Sequence, residues 1–274
     1  MKNVFKKMKM LSRLMTLLAI FLCINIKGND GSWLVAAKNY YHQVKANYNY
    51  HDKSLDIANE HYNKKEYTQA FNTYKGIEGA LSSKLKSGNH FENSEIDELI
   101  TVQFYIADML YRGMGVKKNY KEAVLYFKKS IHTYNISAYA DNAFLAASYL
   151  SLGDIYYYGG FGIETNYETA DYYYQGLFEH PHAFFENKDE KYAELKIANI
   201  NKILSYQDII NNDKSTSKDK IIAQLNLADF YYKNHEMQKA MKLYESIEHN
   251  NDATSEQKQH AKTELKYIFE EAIG

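Results

Sequence analysis

Residues 106 to 127 and residues 152 to 174 are one pattern written twice. IADMLYRGMGVKKNYKEAVLYF aligns with LGDIYYYGGFGIETNYETADYYY, with one extra residue in the second loop. A self-match that keeps small residues, glycines and asparagines at the same offsets restricts the chain to a repeat architecture. Each copy opens on a large-small pair (Ile106-Ala107, Leu152-Gly153), continues as a helix, and stops at a glycine-rich turn holding Gly113 and Gly115 or Gly159, Gly160 and Gly162. Gly113 and Gly159 stand where a helix C-cap takes a left-handed backbone. An apolar residue follows (Val116, Ile163), then Asn119-Tyr120 or Asn166-Tyr167, with the asparagine at the N-cap of a second helix and Glu122 placed to complete a capping box. Ala123 and Ala170 supply a small inner position on that second helix. The small residues let two antiparallel helices approach, while Tyr126, Phe127, Tyr173 and Tyr174 fill the wider parts of the interface.

Two more units carry the pattern with a tighter turn. In residues 57–77 and 227–247 the small positions, Ala58 and Ala70 or Ala228 and Ala240, are 12 apart, against 16 and 17 in the glycine-rich units. The shorter units resemble tetratricopeptide repeats. The longer ones are similar to the Sel-one-like branch of that family, whose LGxxYxxGxGV signature is nearly complete in both. The resemblance covers roughly residues 53 to 250 and implies an all-α fold, a right-handed superhelical solenoid of antiparallel helix pairs, with the first helix of each pair lining a concave groove.

First small positions fall at 58, 107, 153 and 228, giving steps of 49, 46 and 75. The last step is about twice a repeat length, which predicts a degenerate unit containing a helix over 191–204, with Pro181 marking the turn into it. Further helices are expected over 32–45, where Trp33, Ala36, Ala37, Tyr40, Tyr41 and Val44 recur at helical spacing, and over 254–272 as a polar-faced terminal cap. The total is about eleven helices. A single proline in 274 residues suits long helices joined by short turns, and no linker divides residues 29–274, read as one solenoid.

Residues 1–28 read as an export signal: Lys2, Lys6, Lys7, Lys9 and Arg13 precede an apolar run from Leu14 to Ile26. That predicts a secreted or periplasmic protein, with the endoplasmic-reticulum lumen or tethering by an uncleaved signal as alternatives. Without that segment the chain keeps 27 basic and 34 acidic residues, so no nucleic acid is expected as partner, and no membrane either. Cys23, the only cysteine, leaves with the signal, so stability comes from packing rather than from disulfides.

In the groove that the resemblance implies, the residue after each small position is short and polar: Asn59, Asp108, Asp154 and Asp229. Such a column suits a basic or amide-rich peptide, or serves the fold itself. Tyr111, Tyr157, Tyr158 and Tyr232 are the aromatic candidates for the same groove. Six clustered tyrosines, Tyr156 to Tyr158 and Tyr172 to Tyr174, cannot all face a core, because successive helical residues point about 100° apart. The carboxylate clamp of some tetratricopeptide domains needs Lys or Arg where Asp108 and Asp229 stand, so that function does not carry over. No enzyme motif is present: His235-Glu236 lacks a second histidine, the G-x-G pairs follow helices, and His180 and His182 merely flank Pro181. No metal or cofactor is expected. The β-lactamase-like activity of some relatives belongs to cysteine-rich chains, unlike this one. The expected function is an exported protein-binding adaptor, with an envelope hydrolase or a structural spacer as alternatives.

Overall fold

The computed structural model describes residues 53–88, 92–136, 143–179 and 187–273. Among them stand ten helices: α1 (Lys53–Asn63), α2 (Tyr67–Lys86), α3 (Asn93–Arg112), α4 (Tyr120–Asn135), α5 (Ala143–Tyr158), α6 (Tyr167–Gly176), α7 (Asn187–Asn211), α8 (Ser217–Lys233), α9 (Met237–Glu248) and α10 (Ser255–Ile273). No strand occurs among the described residues, and Gly160 and Ile163 form only an isolated bridge inside a turn. The chain divides into two compact units, the first ending at Lys196 and the second starting at Ile197.

In the first unit the hairpins α1–α2, α3–α4 and α5–α6 pack in succession, α2 against α3 and α4 against α5. In the second unit α8 pairs with α9, and α10 packs on α9. Ala58, Ala70, Ala107, Ala123, Ala170, Ala228 and Ala240 all have 0% of their surface exposed, so every alanine expected at a close helix approach lies in one. Gly153 replaces alanine in α5 because the ring of Tyr174 occupies the space: a Cβ there would lie 2.5 Å from Tyr174 Cε1. Next to the small contacts sit aromatic ones. Tyr74 stacks on Tyr105 with ring centroids 4.9 Å apart, and Phe104 stacks on Phe144 at 4.9 Å and meets Phe127 at 5.8 Å. Helix α3, covered on several sides, buries every residue from Glu98 to Leu110, as a helix apolar over most of its circumference must.

The turns follow the sequence closely. Gly113 (φ 75°) ends α3 in the left-handed region, with its N–H and that of Met114 both donating to Met109 O at 2.9 Å. Asn119 Oδ1 accepts from Glu122 N, and Asn166 Oδ1 from Thr169 N. The expected capping box differs in one respect, since Glu122 Oε2 accepts from the Asn119 side-chain Nδ2, not from its backbone. In the tight turns the left-handed place is filled without glycine, by Lys65 (φ 63°) and His235 (φ 59°).

The helix expected over 191–204 lies inside the 25-residue helix α7, but where the 75-residue step predicted a degenerate pair, the described residues between α6 and α8 hold that one helix. The reason is chemical: after Gly176 the sequence has no glycine until Gly274, and nothing between Asn187 and Asn211 stops a helix. The predicted segments 1–28 and 32–45, together with His180, Pro181 and His182, lie outside the described residues. No helix among the described residues is long and apolar enough to cross a membrane.

Gly115 shows how one hairpin seats on the previous one. A Cβ at this position would stand 2.4 Å from the Tyr67 carbonyl carbon and 2.5 Å from Thr68 N, and the Thr68 hydroxyl donates to Gly115 O at 3.1 Å. At Gly113 the nearest atom would be Lys118 Cβ at 3.3 Å. Gly113→Ala is therefore expected to cost about 1 kcal/mol for the left-handed backbone alone. Gly115→Ala, which collides with backbone, is expected to cost clearly more, and urea titrations that rank the two in the opposite order would refute the seating of this loop on α2.

Candidate functional site

The polar column begins with the residue that follows each small position on the first helix of a pair. Helical geometry aims that residue toward the second helix, and in three pairs a tyrosine hydroxyl meets it. Tyr74 Oη donates to Asn59 Oδ1 at 2.7 Å, Tyr174 Oη to Asp154 Oδ1 at 2.6 Å, and Tyr244 Oη to Asp229 Oδ1 at 2.7 Å. Tyr74 and Tyr244 lie 15 residues after their acceptors, and Tyr174 lies 20 after, the difference matching the longer glycine-rich turn. The fourth pair breaks the rule because Phe127 stands at the tyrosine position. Asp108, only 1% exposed, instead accepts from Arg112 Nε at 2.6 Å one turn along its own helix, with the Tyr62 phenol of the preceding hairpin beside it.

Neighbouring elements extend two of these contacts. Asp154 Oδ1 also accepts from Tyr192 Oη on α7 at 2.7 Å, and Asp229 Oδ1 meets His260 Nε2 on α10 at 2.9 Å. Beside Asp154, Lys196 is 7% exposed and sits in an aromatic enclosure, its Nζ 4.2 Å from the centre of the Tyr157 ring, 4.4 Å from Tyr158 and 5.3 Å from Tyr192. It also donates to the Tyr158 hydroxyl. A lysine is held there by ring quadrupoles and a phenol, with a carboxylate close enough to contribute charge.

Burial sets the electrostatics. It drives the phenols of Tyr174, Tyr192 and Tyr244 well above the ordinary tyrosine value, with the facing aspartate adding to the effect, so all three remain donors at neutral pH. Burial also raises the Asp154 carboxyl, while the two tyrosine hydrogen bonds and the Lys196 charge pull it back only in part.

The candidate aromatics separate by position. Tyr157 is fully buried, so it belongs to the core and not to a groove; Tyr111 and Tyr232 are half-buried; Tyr158 is 48% exposed. Of the six clustered tyrosines, Tyr158 and Tyr172 reach solvent while Tyr157, Tyr173 and Tyr174 are buried, the division that helical spacing required. Sequence reasoning missed Tyr74, Tyr174 and Tyr244 as partners of the column, although their fixed offsets were visible. It also missed Tyr192, Lys196 and His260, which come from helices outside the hairpins they contact.

Other features offer little chemistry. A depression of about 350 Å³ in the second unit is lined by Tyr206, Ile209, Ile222 and Asp219 among others, and Asp219 is tied to the Thr216 hydroxyl at 2.7 Å as part of the α8 N-cap. No group of three or more His, Cys, Asp or Glu able to hold a metal occurs among the described residues.

No protein-family model and no curated protein sequence matches the chain. Among solved structures it is similar to a Sel1 repeat protein from Oxalobacter formigenes, at 15% identity and a TM-score of 0.29, over 78% of this chain and 99% of that one. It is also similar to c5321, a protective antigen of uropathogenic Escherichia coli strains with an SLR fold, at 16% identity and a TM-score of 0.23, over 74% of this chain and 64% of that one. The assignment of an all-α fold built of helix pairs stands on the described helices and turns within each unit.

The Asp154 environment predicts a pH dependence. A carboxyl whose folded pKa lies above its unfolded value stabilises the fold fully below the unfolded value and loses that contribution as pH rises through the folded one. Asn can accept both tyrosine hydrogen bonds, as Asn59 accepts one, without titrating. The melting temperature of Asp154→Asn relative to the parent should therefore increase from about pH 4 to pH 7. A difference that is constant or shrinks over that range would contradict the burial assigned to this carboxyl.

Proposed function

We propose that the protein is an exported, non-catalytic helical-repeat adaptor that holds a segment of a partner polypeptide against its helix pairs. The observation that carries this reading is the division of labour among side chains. Interior groups such as Tyr174–Asp154–Tyr192 and Asp108–Arg112 are engaged with one another, and among the described residues they form no convergent set with a reactive group at its centre. Large apolar side chains nevertheless stand at the surface of rigid helices and their turns, among them Leu125 at 52%, Phe161 at 60% and Tyr172 at 66% exposure. Aromatic groups with low conformational freedom on a fixed frame are the usual anchors of protein interfaces.

The column of Asn59, Asp108, Asp154 and Asp229 has its place in this reading as a fold element and not as the surface that reads a basic peptide. A carboxylate that already accepts one or two phenol hydrogen bonds gains little from an incoming ammonium group and would have to break the hairpin's own contact to receive it. Asp229, with its side chain 32% exposed, is the member most open to solvent, and it is already met by His260.

Affinity capture with the full chain should retain a polypeptide. Replacing Asp108, Asp154 and Asp229 together by Asn should leave both that capture and the helical circular dichroism unchanged. Loss of capture with helicity intact would return the column to the binding surface. Turnover of a β-lactam or cell-wall substrate without any retained polypeptide would replace the adaptor by the hydrolase.

A further inference from the structure

Helix α4 has one face that no other helix covers among the described residues. Ala123, Tyr126, Phe127 and Ser130 are buried, while Lys121, Leu125, Lys128 and His132 are exposed at spacings of four, three and four, forming a single outward row. The surrounding charge is one-sided. From Arg112 to His132 the chain carries Arg112, Lys117, Lys118, Lys121, Lys128 and Lys129 against the single acid Glu122, within a protein whose formal net charge is −1.

Part of this charge is answered internally. Lys129 pairs with Glu78 at 3.0 Å, Arg112 with Asp108 at 2.6 Å, and Glu122 faces the Asn119 side chain at 3.3 Å. Lys118, Lys121 and Lys128 form no ion pair with a carboxylate among the described residues. Aromatic rings hold two of them in place: Lys118 Nζ lies 5.0 Å from the centre of the Phe161 ring, and Lys128 Nζ lies 5.6 Å from Tyr156 and 5.9 Å from Tyr173, and 3.3 Å from Tyr156 Oη. The aliphatic end of Lys121 rests on Gly162, whose Cβ position would be 3.1 Å from Lys121 Cε.

Exposed aromatic groups flank the row. Phe161 meets Tyr120 with ring centroids 4.8 Å apart and planes tilted by 45°, and its backbone is left-handed (φ 48°) although 60% of the residue faces solvent. A bulky residue kept in a strained conformation without burial is not there for the core. Tyr172 stands edge-on to Tyr173 at 5.2 Å and is 66% exposed.

We propose that this face of α4, bordered by Phe161 and Tyr172, docks an acidic stretch of a partner polypeptide that carries apolar side chains between its carboxylates. Two of the ammonium groups, those of Lys118 and Lys128, are oriented by rings, and none of the three is paired with a carboxylate among the described residues, which leaves their charge available to an acidic partner. Leu125, Phe161 and Tyr172 supply apolar area for the side chains in between. A long polyanion fits less well, because the chain beyond residue 28 is net acidic and repels it away from this patch.

This proposal rests on the protein-binding reading above, and its test separates the two. A fluorescein-labelled peptide of repeated Glu-Glu-Leu-Tyr is titrated with the full chain by anisotropy at about 50 and about 300 mM salt. The parent should bind it, more weakly at the higher salt. Lys118→Glu, Lys121→Glu and Lys128→Glu combined should weaken binding at least about tenfold with helicity intact, and the three Arg replacements should keep it within about twofold. Equal binding by the Glu variant, absence of binding by the parent, or binding of duplex DNA or anionic vesicles in place of the peptide would each overturn the proposal. If the chain retains a non-acidic polypeptide regardless of these substitutions, the adaptor reading survives and this surface does not. If it retains no polypeptide of any charge, both fail.

Discussion

Seven alanines with no exposed surface set how closely the helices of this protein can approach, and the rest of the structure is arranged around that spacing. A β-carbon without further atoms is the largest group that fits where paired helices cross, and Gly153 shows the limit reached when a tyrosine ring takes even that space. Once the crossing points are fixed, the aromatic residues one turn away are brought into register, and the stacking of Tyr74 on Tyr105 and of Phe104 on Phe144 follows. Gly115 extends the same constraint from within a hairpin to the contact between hairpins.

The hydrogen bond from a second-helix tyrosine to a first-helix acceptor is the polar counterpart of the alanine contact. It appears with Asn59, Asp154 and Asp229, and its absence at Asp108 is explained by a single atom, the hydroxyl that Phe127 lacks. That exception makes the pairing informative: the acidic position persists without its tyrosine and takes Arg112 instead. An acceptor that always finds a partner inside the fold is better suited to fixing a hairpin's geometry than to reading a ligand.

The hairpins and turns were legible from the residues because their determinants are local. Glycine at a left-handed cap, asparagine at an N-cap and alanine at a fixed offset each act within one turn of helix or across one loop. Lys65 and His235 were not legible as left-handed residues, since they stand exposed in turns closed by the hydrogen bonds from Glu66 N to His61 O and from Glu236 N to Tyr231 O, not in a conformation that their own side chains prefer. The helix over 191–204 was legible, but its full length as α7 was not, because repeat arithmetic favoured a pair whereas the sequence contains no residue to interrupt it. Contacts made by Tyr192, Lys196 and His260 depend on which helix follows in space, information that no single repeat carries. The basic face of α4 was present in the residues throughout. Its meaning depended on knowing that Lys129 and Arg112 are answered by carboxylates while Lys118, Lys121 and Lys128 are not.

Small side chains permit the helices to nest, and Ala123, buried between α3 and α4, is the place to test that nesting. Chemical denaturation of Ala123→Leu should show a loss of about 1 to 3 kcal/mol, because the added atoms have no space to enter. A stability equal to the parent's would mean that the two helices do not meet at this residue, and the nesting on which the fold is built would be wrong.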